Sequence, residues 1–216
     1  MYSIICKINT IRRLFMKKIN YLKIILFMML LFCTFSVSVK AAESRKNLGY
    51  KWSSKYSTVY FYCGLKDTWK NAISSGMSSW NAVKEPSTNK AIVPMALTSN
   101  SNHSNKIYLT SGETWLGHTF TTQTNGVLKS ASIAFNSGMY TFTAGAASNK
   151  YDMQTVATHE LGHAIGVAHC HEVNETSCFS ATCPSNVMMC VIYDNSMRRK
   201  LTDYDTSSKQ LIYCYW

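Results

Sequence analysis

Hydrophobic positions along the chain fall into three kinds of run. Residues 24–37 form a dense apolar block near the N-terminus. Helical spacing appears further on. Over residues 66–83, Trp69, Ile73, Met77 and Trp80 recur at steps of four, four and three, which places them on one helix face. At that spacing the two tryptophans read as packing residues rather than as a ligand-binding pair. Over residues 152–165, Met153, Val156, Ala157, Leu161, Ala164 and Ile165 give a second helix a broad apolar face. Shorter β-branched and aromatic runs predict strands at 58–63, 92–97, 106–110, 118–122 and 131–136, the second weakened by Pro94. The polar stretch 98–105 reads as a surface loop. A third helix is expected from Thr202, whose hydroxyl can cap the first turn while Asp205 favours its N-terminal dipole. Leu211 and Ile212 then face its packed side. Strands interrupted by one helix and followed by others indicate an α+β domain.

Charge separates the first block from the rest. Residues 1–41 hold seven Lys or Arg and no Asp or Glu, and the apolar run follows that basic cluster. Val39 and Ala41 then stand at the −3 and −1 positions of a cleavage site. This order is that of a secretory signal peptide, so the protein is expected to be secreted, with 42–216 as one domain. The apolar run is shorter than the roughly 20 residues a membrane span needs, which disfavours a retained anchor. Met16, followed by Lys17 and Lys18, reads as the working start. The chain carries a net +11; seven of those charges leave with the signal, so the mature part is +4. After residue 50 only Arg198, Arg199 and Lys200 are adjacent basic residues, so no nucleic-acid footprint remains. Membrane contact is expected only through the transient signal, and the mature chain is expected to be a monomer.

Six cysteines remain after residue 41: Cys63, Cys170, Cys178, Cys183, Cys190 and Cys214. In an exported chain that even number predicts up to three disulfides, and the crowding at 170–190 predicts a stapled loop. The spacings contain no C-x-x-C pair, which disfavours a second metal site.

The chemistry concentrates in His159-Glu160-Leu161-Gly162-His163-Ala164-Ile165-Gly166-Val167-Ala168-His169. Residues four apart on a helix share a face, so His159 and His163 can present two imidazole nitrogens to one ion. Glu160 is rotated by about 100° from His159, beside the metal without being a ligand, and can act as a base. His169 lies six residues past His163, where a continuing helix would carry it away. Gly166 can adopt positive φ, end the helix and return His169 to the ion. Three imidazoles leave one tetrahedral position open, the pattern of catalytic Zn2+. By composition, this extended spacing should arise by chance in roughly one chain in 10⁵ of this length.

His159 to His169 resembles the zinc signature of metzincin metallopeptidases, most like the matrixin branch. The resemblance implies a metzincin-type catalytic domain with a mixed twisted sheet, an active-site helix and a C-terminal helix. It extends to residues 69–83 as a first long helix and to 130–136 as the edge strand on which substrate is laid. Asn186-Val187-Met188 resembles the Met-turn, with Met189 as a rival for the place under the ligands. Leu201-Thr202 and Asp205 resemble the start of the last helix. Departures accompany the likeness. The Tyr that some branches place two residues after the Met is missing. There is no room for a zinc-binding propeptide cysteine after Ala41, and Cys63-Gly64, which superficially resembles it, is expected in a disulfide. The cysteine-rich stretch 170–190 has no place in the family pattern. His171 competes with His169 as third ligand, the Gly166 spacing favouring His169. His103 and His118 have no carboxylate neighbours and stay unassigned, and Asn174-Glu175-Thr176 is a glycosylation sequon.

The function expected is a secreted zinc-dependent endopeptidase acting on protein or peptide substrates, in which Glu160 activates a zinc-bound water. Two alternatives stand beside it: a non-catalytic zinc-binding exported adhesion or interaction module, and a zinc hydrolase acting on a non-peptide amide or ester. Glu160 argues against the first, since a structural site needs no base. An extended-substrate strand argues against the second.

Overall fold

A computed structural model describes residues 47–170 and 185–215. The expected signal peptide (1–41) and, within 171–184, His171, the Asn174 sequon, Cys178 and Cys183 lie outside the described residues.

Alternation along Val59–Cys63 (β1) sends Val59, Phe61 and Cys63 inward and leaves Tyr60 exposed. Three further strands run parallel to it: Met95–Thr98 (β2), Lys106–Thr110 (β3) and Val127–Asn136 (β5). Gly117–Thr124 (β4) pairs antiparallel with β5, closing a five-stranded mixed sheet of order β2-β1-β3-β5-β4. Phe142–Thr143 (β6) and Tyr151–Asp152 (β7) form a separate two-stranded piece. The helices are Asp67–Asn81 (α1), Met153–Ala164 (α2) and Asp203–Gln210 (α3), the last running on as a π-helical turn over Leu211–Tyr215. Among the described residues no helix is long and apolar enough to cross a membrane.

The expected helices stand within about two residues of their boundaries, and three strand expectations need correction. β2 begins at Met95, because Pro94 has no N–H for the ladder and Val93 takes positive φ. Ile92 and Val93 are instead buried core residues before the strand. β5 starts at Val127 and is not the edge: it lies between β3 and β4, paired on both sides. The edge strand is β4, whose residues are mostly exposed or half-buried. The expected disulfide at Cys63 is also not formed. Cys63 and Cys214 are free thiols, Cys63 buried against the sheet's apolar side, where burial raises its pKa.

Two buried asparagines set the strand ends that matter. Asn105 donates to the Tyr60 carbonyl and accepts from the Ala131 amide, tying β1 to β5 across β3. Asn136 donates to the carbonyls of Glu113 and Trp115 and accepts from the amides of Gly138 and Met139. It thereby fixes the loop that delivers the chain into β4. A fully satisfied buried amide of this kind rigidifies its surroundings.

Against the inner sheet face, α1 buries Ile73, Gly76, Met77 and Trp80. The two long helices approach closely at Gly76, where a Cβ would stand 2.8 Å from Thr158 Oγ1. Trp80 Nε1 donates to the Thr158 carbonyl at 2.7 Å, satisfying the polar atom of a fully buried indole. Helix α3 is joined to this pair by Lys209, which is completely buried and donates from Nζ to the Trp80 carbonyl at 2.8 Å.

Burial pushes the Lys209 amine down to about 7, and Lys84 adds to the effect; no salt bridge balances it among the described residues. A folded-state pKa below the unfolded one means that the unfolded chain binds more protons between the two values, so stability rises with pH there. Relative to Lys209→Met, wild type should therefore gain on the order of a few kcal/mol between pH 7 and pH 10. Paired urea titrations across that range read the difference. A pH-independent gap between the two proteins would show that Lys209 stays charged in the fold.

Candidate active site

Helix α2 begins on a buried cap. Asp152 accepts from the Thr155 amide and hydroxyl, and Arg199 reaches it from outside with two contacts of 2.8 and 2.5 Å. Burial alone would raise this carboxyl, but the Arg199 and Thr155 hydrogen bonds outweigh it and hold the pKa below the ordinary value. The helix ends where expected. Gly166 has φ +89°, and a Cβ there would collide with the Tyr50 carbonyl oxygen. The chain turns, and His169 comes back to meet His159 and His163.

The three Nε2 atoms stand 3.1 Å from one another, pairwise. Tautomers follow from the other ring nitrogens. His159 Nδ1 lies 2.8 Å from the Val187 carbonyl, and His163 Nδ1 lies 2.8 Å from the Val167 carbonyl. A carbonyl can only accept, so both Nδ1 atoms carry the proton and both Nε2 atoms present lone pairs to the centre. Burial and the neighbouring imidazoles drive His159 well below its ordinary pKa and His163 down to about 3, keeping the rings neutral. Lone pairs facing one another at this distance want a cation between them. A tetrahedral zinc with arms of 2.0–2.1 Å sets its nitrogens about 3.3 Å apart, so the cluster fits that ion. Among the described residues this is the single His, Cys, Asp or Glu group of metal-binding geometry, and His103 and His118 form none.

Beneath the cluster lies the turn at Asn186–Met189. Gly162 faces Met188 so closely that a Cβ would collide with its Sδ, and would stand 2.8 Å from Trp80 Cζ2. Met188, not Met189, therefore occupies the place under the histidines. Asp205 holds this turn. Fully buried, it accepts the Val187 and Met188 amides, both at 3.1 Å, while also completing the capping box with Thr202. The sequence showed Asp205 only as a capping residue. Its second task joins α3 to His159 through Val187, and no local pattern announces it.

Glu160 points to the cleft side. Its Oε2 accepts from Thr119 Oγ1 at 2.7 Å, and it packs against Gly117, where a Cβ would stand 2.9 Å from Oε1. Burial pushes its carboxyl up to about 7, with the Thr119 hydrogen bond opposing. A dication beside it would favour the carboxylate form. Thr119 was not foreseen; it lies in a run of alternating threonines in which only the fold shows which one faces the helix. The cleft, about 520 Å³, is bounded by Trp115–Thr119, Tyr140, Tyr151, the histidines and residues 190–192, with Leu48 and Tyr50 at one side.

A family model described as matrixin matches residues 44–214. The chain belongs to the matrixin family. This matrixin is accordingly a zinc metalloendopeptidase of α+β fold. No curated protein sequence matches it. Among solved structures it is similar to high choriolytic enzyme 1, a hatching enzyme zinc-protease from Oryzias latipes (medaka fish). The identity is 12% and the TM-score 0.41, covering 76% of this chain and 92% of that one.

Gly162→Ala in this matrixin should cost about 1–3 kcal/mol, because Trp80 is fully buried and cannot retreat from the added methyl. Urea unfolding of the two proteins would measure it. A loss below about 0.5 kcal/mol would mean that Met188 vacates its place at no cost.

Proposed function

We propose that this matrixin is an exported endopeptidase in which His159, His163 and His169 hold the zinc and Glu160 is the general base. The observation that carries the reading is the convergence of three imidazole nitrogens in a cleft that also contains the Glu160 carboxyl group. Zinc, when bound there, supplies Lewis acidity toward a carbonyl oxygen and lowers the pKa of water toward about 7.

The chain's own groups supply the rest. Among the described residues β4 pairs only with β5, so its other edge presents backbone donors and acceptors along the cleft. A substrate segment adds there as an extended strand, which replaces the expectation of docking along 131–136. The scissile carbonyl then lies over the histidine cluster. Glu160 takes a proton from the attacking water and delivers it to the leaving amine nitrogen as the C–N bond breaks. The Thr119 hydroxyl holds the carboxylate against β4 at the cleft wall. No tyrosine stands two residues after Met188, so stabilisation of the developing oxyanion would rest mainly on the zinc that His159, His163 and His169 would hold.

A pure zinc-binding module would have no use for a buried carboxylate held by a dedicated hydroxyl at the mouth of the cluster. Glu160→Gln should retain about one zinc per chain and lose at least 10²-fold in peptide cleavage. Metal analysis and cleavage of a mixed-sequence peptide library, run on both proteins, test this together. Equal rates would remove Glu160 from the mechanism, whereas zinc in both with no cleavage by either would favour the binding module.

Export rests on the basic, apolar and small segments of residues 1–41. Mass spectrometry of the protein recovered outside the cell should give an N-terminus at Ala42. A species retaining residues 24–37 would indicate an anchor instead.

A further inference from the structure

Helix α2 delivers two histidines at its C-terminal half, and a helix leaves its last four carbonyls without intrahelical partners. Here the Gly162 and His163 carbonyls accept from the local amides of Ile165, Gly166 and Val167, and the carbonyls from Ala164 to Gly166 are taken by residues far away in sequence. The Ala164 carbonyl accepts from Trp52 Nε1 at 2.9 Å, and the Gly166 carbonyl accepts from the Leu48 amide at 2.9 Å. Between them, the Ile165 carbonyl accepts from the Tyr213 hydroxyl at 2.9 Å, and that hydroxyl in turn accepts from the Trp52 amide at 3.2 Å. Asn47 forms an antiparallel bridge with Val167, whose carbonyl receives the His163 Nδ1 proton. The Tyr50 carbonyl fills the space that Gly166 leaves open.

The other side of the same segment is anchored to the sheet. The Lys51 amide donates to the Gly126 carbonyl, and the Leu128 amide donates to the Lys51 carbonyl, both at 2.9 Å. Residues 47–52 thus connect the β4–β5 hairpin to the turn between His163 and His169. Leu48 and Tyr50 also line the cleft.

We propose that residues 47–52 are a strap that positions the histidine cluster for zinc, with Trp52 as its central positioning residue. The proposal rests on the reading of His159, His163 and His169 as ligands. Its physical basis is that the turn from Gly166 to His169 begins on a glycine in the left-handed region, and that its near end is held from outside by this segment, as its far end is held by Tyr204 on the His169 carbonyl. The angle at which His169 returns depends on what holds the carbonyls of Ala164, Ile165 and Gly166, together with the Tyr204 and Met188 contacts at the far end of the turn. Outer partners that fix ligand orientation are worth about 10- to 100-fold in metal affinity. Trp52→Phe removes the Nε1 donor while keeping the ring's apolar body, and Leu48→Pro removes the amide donor to Gly166.

The test is a chelator-competition measurement of zinc affinity on the exported protein, at a temperature where circular dichroism shows every variant folded. The visible spectrum of the cobalt-substituted protein is recorded beside it. Trp69→Phe is the control, since Trp69 is a partly buried tryptophan packed edge-on against Phe142, remote in sequence from the strap and the turn. The expected result is zinc binding weaker by about tenfold in Trp52→Phe and Leu48→Pro, with an altered cobalt absorption band, and neither change in Trp69→Phe. Affinities of both strap variants within twofold of wild type, with an unchanged cobalt spectrum, would overturn the proposal. Wild type that takes up no zinc would overturn the ligand reading beneath it instead.

Discussion

Two imidazole nitrogens that present lone pairs to one point cannot hydrogen-bond each other, and the structure is arranged around keeping His159 and His163 there with His169 Nε2 beside them. Two of the three rings have their tautomer imposed by a backbone carbonyl, Val187 for His159 and Val167 for His163. Each of those carbonyls belongs to a turn that would move freely if nothing held it. Val187 is held by Asp205 from α3, and Val167 is paired to Asn47. The demand for convergent acceptors therefore propagates outward, first to two turns and then to the two ends of the described chain. Metal binding of this kind is coupled to folding, because the free energy gained at the ion offsets the repulsion among the groups gathered to meet it.

Close packing supplies the remaining constraint. Gly76, Gly162 and Gly117 each stand where another element comes too near for a side chain: α2 at Thr158, Met188 with Trp80, and Glu160. They mark the three surfaces of the active-site helix, toward α1, toward the Met188 turn and toward β4. A helix caged on three sides has little freedom to rotate, and rotation is what would carry Glu160 away from the cleft. Trp80 bridges two of these surfaces. Its indole N–H satisfies Thr158, its ring meets Gly162, and its own carbonyl receives the buried Lys209.

Much of this could be read from the residues before any coordinates. Periodicity located both long helices, and the Thr202–Asp205 pattern located the third together with its capping box. The spacing around Gly166 chose His169, and the structure brings it to the cluster. What could not be read is what sequence separation hides. Residues 118–122 and 131–136 carry similar alternation, and nothing local says which of them ends the sheet; the order follows from pairing with β3, far back in the chain. The segment 47–52 alternates Leu48, Tyr50 and Trp52 with Asn47, Gly49 and Lys51, but nothing in so short a run says that it satisfies carbonyls at and beyond the end of α2.

The placement of Glu160 shows why the edge strand matters more to this site than the interior strand first expected. Gly117 lets the glutamate lie against β4, and two residues on, Thr119 holds its carboxylate from the same face. A strand alternates its side chains, so His118 and Phe120 point away from the helix, stacked with each other and with Trp115. One strand thus offers three things at once: contacts that hold the base, a backbone edge unpaired among the described residues, and an aromatic wall on its outer side. An interior strand, with both edges paired, could offer only the first. The edge position, which elsewhere in a sheet is a liability, is here the feature that brings backbone recognition within reach of the base.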